Sequence, residues 1–583
     1  MSFRLAEIPV EVLLDNFLPL LPVLDLLNLG STNRLFYNLC NDDTFWKRKI
    51  QEDFNFPCDD TARRSGWKII YRGLSHPHTY VWGEASKGRL GMAKPPRSNI
   101  GDAPWPLQLR IGGPGARIVN LSAAGMSFFA MDSKGALYAW GTLDGTTFDP
   151  RVGYSAPGKI VTTPMRLNLP VAMRTISCGR LHATTLDENL HVWTFLSFGR
   201  PFRLVTPFLD GSSPSASPHQ VVSGWSFSAV LTKTGDVYVW FPWGDQMSRG
   251  ISERNIIMDQ DGQTVHESEL GVLHCVTWEL EHDPHKLPNL PSLPPLTPSA
   301  HEKGAHLIKI AALGHHIVGL TNYGHVLKIA LQEGNLSTPM TWEYASFLPL
   351  FSDPNEIKER VISIVPALQL PDNIKITHIS AQFKKFVAYS TGSSSVVLMG
   401  TDQTTVQTSA DVVPVLQNRN VISLIIGDYH YGALTSTGKL LTWGDFARGA
   451  LGLGDPTTIE VGQPGSYSTD THRQHALEHG WPGPPPLVEP AEVRFDHHEN
   501  RRRERFCFAA TAAGWHTGAL VIDLEPDQDD QDEDTGVRMP GGFPPGEGPT
   551  STSPSDPTGL GHRRPAQLSI FRVGFAGRGR GQG

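Results

Sequence analysis

No stretch of about 18 uninterrupted apolar residues occurs in the 583-residue chain, so no membrane-spanning helix is expected. The N-terminal leucines imitate a signal peptide. Glu7, Glu11 and Asp15 interrupt them, however, and Pro19 and Pro22 break the longest run, Phe17–Leu24, so a cleaved signal is not expected. Cysteine is scarce: Cys40, Cys58, Cys178, Cys275 and Cys507 are odd in number and form no CxxC pair. That excludes a disulfide framework and fits reduced thiols, hence a cytoplasmic or nuclear protein. Excess positive charge is also lacking. The net charge is -8, of which the ten acids and six bases of residues 523–583 supply -4, so bulk electrostatic binding of nucleic acid is not expected. No lysine follows Lys439, where an even spread of the 17 would place about four. A ligase subunit sparing its own flexible tail is one reading. Codon preference is the simpler one, because arginine outnumbers lysine about two to one.

Catalytic fingerprints are missing as well: no GxSxG, HExxH, Walker or Rossmann pattern stands in a usable context. No catalytic residue and no cofactor is therefore expected. His472, His475 and His479 would share one face of a helix and could then approach zinc geometry. The surrounding Gly, Ser and Pro predict no stable helix there, so no metal site is expected. Arg501-Arg502-Arg503-Glu504-Arg505 reads as a solvated loop in preference to a nuclear signal.

The chain does contain 57 glycines and 46 prolines, which predict many turns and long loops. It opens with leucine-rich helical segments. Pro9 suits a first helical turn, and Val10, Leu13, Leu14, Phe17 and Leu18 form a wide apolar stripe. Leu21-Pro22 breaks that helix, and Leu24, Leu26, Leu27 and Leu29 follow. Ser31 or Thr32 is expected to cap a third helix carrying Leu35, Phe36 and Leu39, and Asp42 or Asp43 a fourth carrying Trp46 and Ile50. So small a unit hides few leucines, and the excess apolar surface points to a helical partner.

The string Ile8-Pro9, Leu21-Pro22, Asp25-Leu26 and Trp46 resembles an F-box, with Ile8 for the usual leucine. The resemblance implies binding of the S-phase-kinase-associated adaptor, and through it a cullin and RING subunit. The adaptor contacts it implies are Ile8, Pro9, Leu13, Leu14, Leu18, Leu21, Pro22, Leu26 and Trp46.

Beyond the helices one phrase repeats. Its first half is a strand with an early glycine: Gly125, Gly179, Gly224, Gly314, Gly427 and Gly514 mark clear copies, and Ala381-Gln382-Phe383 a weak one. Its second half is an alternating strand ending in Trp or Trp-Gly, at Trp82-Gly83, Trp140-Gly141, Trp193, Trp240 and Trp443-Gly444, with degenerate copies at Val326–Ile329 and Val396–Gly400. Gly135, Gly235, Gly324 and Gly438 supply tight turns between the halves. The early glycine lets backbones crowd, as near a propeller's central channel. His182, His316, His430 and His516 recur after it, and a hydrogen bond made by each blade is preferred to a ring of metal ligands. The array opens with a second half, Tyr80–Gly83, and closes with a first half, Gly514–Leu520. Those orphan halves complete one blade, giving seven and removing the open sheet edges.

The phrase resembles the regulator-of-chromosome-condensation repeat, as do the glycine-rich loops Gly449–Gly454 and Gly88–Gly91. The expected fold is mainly β: a seven-bladed propeller after a small all-α F-box, with a disordered tail. The expected domains are 1–52, a linker helix within 53–77, the propeller over 78–523 and an acidic, then Pro/Gly-rich tail over 524–583. Two proline-rich insertions, about 241–305 and 456–505, are expected to be exposed or semi-rigid extended segments. Trp67, Ile70 and Leu74 share one helical face expected to pack the F-box on the propeller. The combination resembles the fungal SCF-associated factor family and implies a non-catalytic substrate receptor of a cullin-type ubiquitin ligase, with the protein substrate on the propeller. A guanine-nucleotide exchange factor for a Ran-like GTPase, or an F-box scaffold without ubiquitination, are the alternatives. No substrate-binding residue stands out.

Overall fold

The computed structural model describes residues 5–96, 98, 102–144, 152–268, 271–296, 304–331, 347–392, 395–479, 483–497, 503–524 and 573–574. The expectation of a disordered tail falls mainly on residues 525–572 and 575–583, outside the described ones. Val573–Gly574 pairs with Pro104 and Ala103.

Seven sheets form the body of the molecule. Blade 1 joins both chain ends: Arg505–Ala513, His516–Asp523, His78–Gly83 and Ala103–Leu109. Its halves meet in register, with Tyr80 opposite Ala519 and Gly83 opposite His516. Blades 2 to 7 begin with Ile118–Ala123, Met173–Cys178, Pro218–Ser223, Leu307–Ala312, His378–Gln382 and Val421–Ile426. Each of these first strands touches the next, and the strand of blade 7 touches Arg505–Ala513, which returns to Ile118–Ala123. The ring is therefore closed, around a central channel of about 1160 Å³.

The repeat phrase explains the closure. A Cβ on Gly179 would stand 2.2 Å from Gly224 O, and one on Gly514 2.5 Å from Gly125 O, so only glycine lets neighbouring blades approach this closely. The repeat histidines fasten the same joints. His182 Nε2 lies 2.7 Å from Ser228 Oγ of blade 4, and His430 Nε2 2.8 Å from Thr517 Oγ1 of blade 1. His516 Nε2 lies 3.4 Å from Ser127 O of blade 2. Burial pushes His182 and His430 down to about 3 and His516 well below the ordinary imidazole range. His316 is only half-buried and sits off this pattern. The tryptophans lock the rim: Trp82 Nε1 donates to Ala450 O and Trp140 Nε1 to Arg89 O, each in the glycine-rich loop of the preceding blade.

The proline-dense stretches 287–296 and 483–486 carry neither helix nor strand, as expected, but each insertion also holds regular structure. Asp245–Gln260 is a helix, with Met247, Ile251 and Met258 buried. Arg200 staples it, donating to Asn255 Oδ1, Asp259 Oδ1 and Gln263 O. Val272–His274 and Trp278–Glu281 then add in parallel to the outer edges of blades 2 and 3, and His285–Lys286 pairs with blade 4. The insertion thus covers sheet edges, which satisfies their backbone groups. Asp470–His479 is also helical, against the sequence expectation. Thr469 Oγ1 accepts from His472 N at the helix start, and Ala476 is buried. His475 and His479 stack at 4.4 Å. Among the described residues no group of three or more His, Cys, Asp or Glu could hold a metal ion, and no helix is long and apolar enough to cross a membrane.

The N-terminal helices are Val10–Val12, Val23–Gly30, Arg34–Leu39 and Asp43–Phe54. The third is capped by Asn33, not Ser31 or Thr32: its side chain accepts from Phe36 N, while the two hydroxyls donate back to Asn28 O and Leu29 O. Asp42 caps the fourth. Trp67–Gly73 forms the expected docking helix, with Trp67, Ile70 and Leu74 buried. A Cβ on Gly73 would collide with Ile522 of blade 1 at 2.4 Å, so helix and blade are in intimate contact.

Candidate functional site

Third strands end beside second-strand starts: Gly141 pairs with Ser127, Trp240 with Ser228 and Gly444 with His430. The loops after first and after third strands therefore share one end of the ring. The helical unit occupies the other end, among the turns joining second to third strands.

On that helical side, residues 55–66 cross the channel mouth. Asn55 Nδ2 donates to Met173 O, Asp60 Oδ2 accepts from Asn120 Nδ2, Lys309 Nζ reaches Asp59 O, Ala62 N reaches Ile422 O and Arg63 Nη1 reaches Ser436 O. Burial raises the Asp60 carboxyl to about 6 despite Lys309, although its surface still meets the water of the channel. Blades 2, 3, 5 and 7 are engaged, and the apolar cores of the two parts are one continuous cluster. The helical unit is thus fixed to the propeller, not tethered to it.

The nine residues expected to touch an adaptor divide in two. Leu13, Leu18, Leu26 and Trp46 are buried in the unit's own core; Trp46 Nε1 donates to Cys40 O. These four reach a partner only by shaping the surface above them. Ile8, Leu14 and Leu21 are half-buried, and Pro9 and Pro22 are exposed. The accessible apolar surface is supplied by residues outside the expected set: Leu20 is 80% exposed and Leu24 68%, with Val10, Leu27, Leu35 and Tyr37 also open. The apolar stripe is too wide for periodicity alone to say which side faces inward.

The opposite end carries a cluster that the sequence reading missed. Arg180 Nη1 bonds Asp428 Oδ2 at 3.0 Å, and its guanidinium lies 5.1 Å from the Trp225 ring. Trp225 contacts Phe383 at 5.4 Å, and Tyr429 stacks on Trp515 at 6.3 Å. Backbone bonds knit these loops: Arg180 N to Gly224 O, Trp225 N to Gly314 O, Gly314 N to Phe383 O and Asp428 N to Gly514 O. Beside them Arg448 pairs with Glu84 and Asp102, and buried Arg89 with Glu84. Burial pushes the Arg89 guanidinium down to about 9 and raises the Asp428 carboxyl, against the pull of Arg180. The signal was available: the position after each repeat glycine reads Met126, Arg180, Trp225, His315, Asp428 and Trp515, and Phe383 fills it in the glycine-less copy.

The family profile described as F-box-like matches residues 5–52. A segment of 107 residues, 18% of this chain, is 34% identical to SCF-associated factor 1 of Saccharomyces cerevisiae and covers 14% of it. A segment of 233 residues, 37% of this chain, is 28% identical to the human E3 ubiquitin-protein ligase HERC2 and covers 5% of it. Protein pim1 of Schizosaccharomyces pombe is 26% identical over 28% of this chain and 33% of its own length. The chain thus spans a third or less of these relatives. Among solved structures, Prp20p from Saccharomyces cerevisiae covers 83% of this chain and 97% of its own at 15% identity, TM-score 0.46. Human WBSCR16 covers 77% and 100% at 16% identity, TM-score 0.45. The chain is an F-box-like domain set rigidly on a seven-bladed β-propeller.

Proposed function

We propose that the chain is the substrate receptor of an adaptor–cullin–F-box ubiquitin ligase. The F-box-like unit docks the S-phase-kinase-associated adaptor, and through it the cullin and RING subunit; the propeller holds a protein destined for ubiquitination. The observation that carries this reading is the open leucine face of Leu20, Leu24 and Leu27 on a unit whose own core is already complete. The similarity to SCF-associated factor 1 supports it. The chain itself performs no bond chemistry. Its contribution is proximity, a fixed span between the adaptor and the distal propeller face, which the channel-crossing segment keeps constant.

The test is capture of the tagged full chain from its own cells, wild type beside Leu24→Asp. Adaptor and cullin are expected with wild type and lost with the variant. Their absence from both overturns the proposal, and acceleration of nucleotide release from a Ran-like GTPase by the purified chain would support the exchange reading instead. Leu24 is chosen because Leu13→Asp would bury a carboxylate in the unit's core and unfold it.

A further inference from the structure

We propose that Arg180, at the centre of the distal mouth, is the specificity residue of the substrate face and receives an anionic group, carboxylate or phosphoryl, on an extended segment of the captured protein. This deepens the receptor reading and rests on it.

Arg180 is held but not used up. Among the described residues its side chain makes one hydrogen bond, through Nη1 to Asp428; Nε packs beside Gly125 and Nη2 has no hydrogen-bond partner. Trp225 fixes the guanidinium plane, so a bidentate contact would cost little ordering. Arg89 is turned inward, 5% exposed against 8% for Glu84, but Arg180 and Arg448 are each more exposed than their carboxylate partners. Arg180 is 23% exposed against 8% for Asp428, and Arg448 21% against 8% for Glu84 and 18% for Asp102. Exposed Lys384, over the Phe383 ring, and exposed His315 stand on adjoining loops. Asp445 is the opposing exposed carboxylate, on the loop after Trp443-Gly444. The crevice among Arg180, Trp225, Gly314, Phe383 and Asp428 has a volume of only about 10 Å³. It admits no small molecule, so the ligand lies across the mouth with Trp225 and Phe383 as apolar neighbours.

The experiment measures fluorescence anisotropy of labelled Gly-Ser-Phe-X-Phe-Ser-Gly peptides on the purified full chain, with X glutamate, phosphoserine, glutamine or lysine. At least one acidic peptide is expected to bind about tenfold or more tighter than the glutamine and lysine peptides, the scale of a charge-assisted pair. The tighter of glutamate and phosphoserine identifies the source of the anion. Arg180→Ala should reduce the acidic peptides to the glutamine level. The double variant Arg180→Ala/Asp428→Asn, which leaves no unpaired carboxylate, should do the same with an unchanged unfolding midpoint. Equal binding of all four peptides, preference for lysine, or an acidic preference surviving in the folded double variant would overturn the proposal. No adaptor enters this assay, so its failure is separable from failure of the capture experiment.

Discussion

Unfolding the propeller below neutral pH should draw protons onto the histidines that fasten its blades. His182 and His430 are held near 3 by burial, against about 6.5 for an imidazole in an unfolded chain. At pH 5 the unfolded imidazole is about 97% protonated and the folded one about 1%. Each therefore binds about one proton on unfolding. Because the folded value is depressed, the stability is complete above 6.5 and is lost as pH falls from there toward 3. Between pH 7 and 5 the loss is about 1.9 kcal/mol for each histidine. The perturbation is His430→Gln, whose amide can still reach Thr517 Oγ1 but does not titrate. The assay is proton uptake on mixing with guanidinium at pH 5, read by a calibrated indicator. The variant should take up about one proton fewer than wild type, and His182→Gln/His430→Gln about two fewer. Equal uptake would mean that these rings are charged or solvated in the folded state, and the account of the blade joints would fail.

Other expectations concern the joints between parts. Gly83→Ala places a Cβ 2.1 Å from His516 Cα at positive φ and should cost about 3 kcal/mol or more, whereas Gly153→Ala, also at positive φ but in open space, should cost about 1 kcal/mol; chemical denaturation midpoints compare them. Arg63→Ala removes the bond to Ser436 O and the contact over Phe506, and should speed tryptic cleavage after Arg64 while leaving blade packing intact.

Much of the architecture was legible in the residues because repetition multiplies a weak signal. One Trp-Gly means little, but copies at blade spacing, with orphan halves at each end, leave few alternatives. The F-box was legible for a different reason: Pro9, Pro22 and Trp46 fix helix breaks and a core anchor at set distances. What stayed hidden depended on tertiary burial. Leu13 and Leu24 are the same residue type in one apolar stretch, yet one is fully enclosed and the other two-thirds open. Trp225, Phe383, Tyr429 and Trp515 lie far apart in sequence, and only ring closure gathers them. The helix Asp470–His479 was missed because Gly and Pro flank it without entering it, and Thr469 supplies its start.

The shared blade sets a schedule for synthesis. Strand His78–Gly83 leaves the ribosome long before its partner His516–Asp523; at about 5–20 residues per second the wait is on the order of 20–90 s. For that interval the leading strand has a bare edge, open to pairing with other strands. A premature stop before residue 505 would leave this condition permanent. One after residue 524 would release a ring already able to shut.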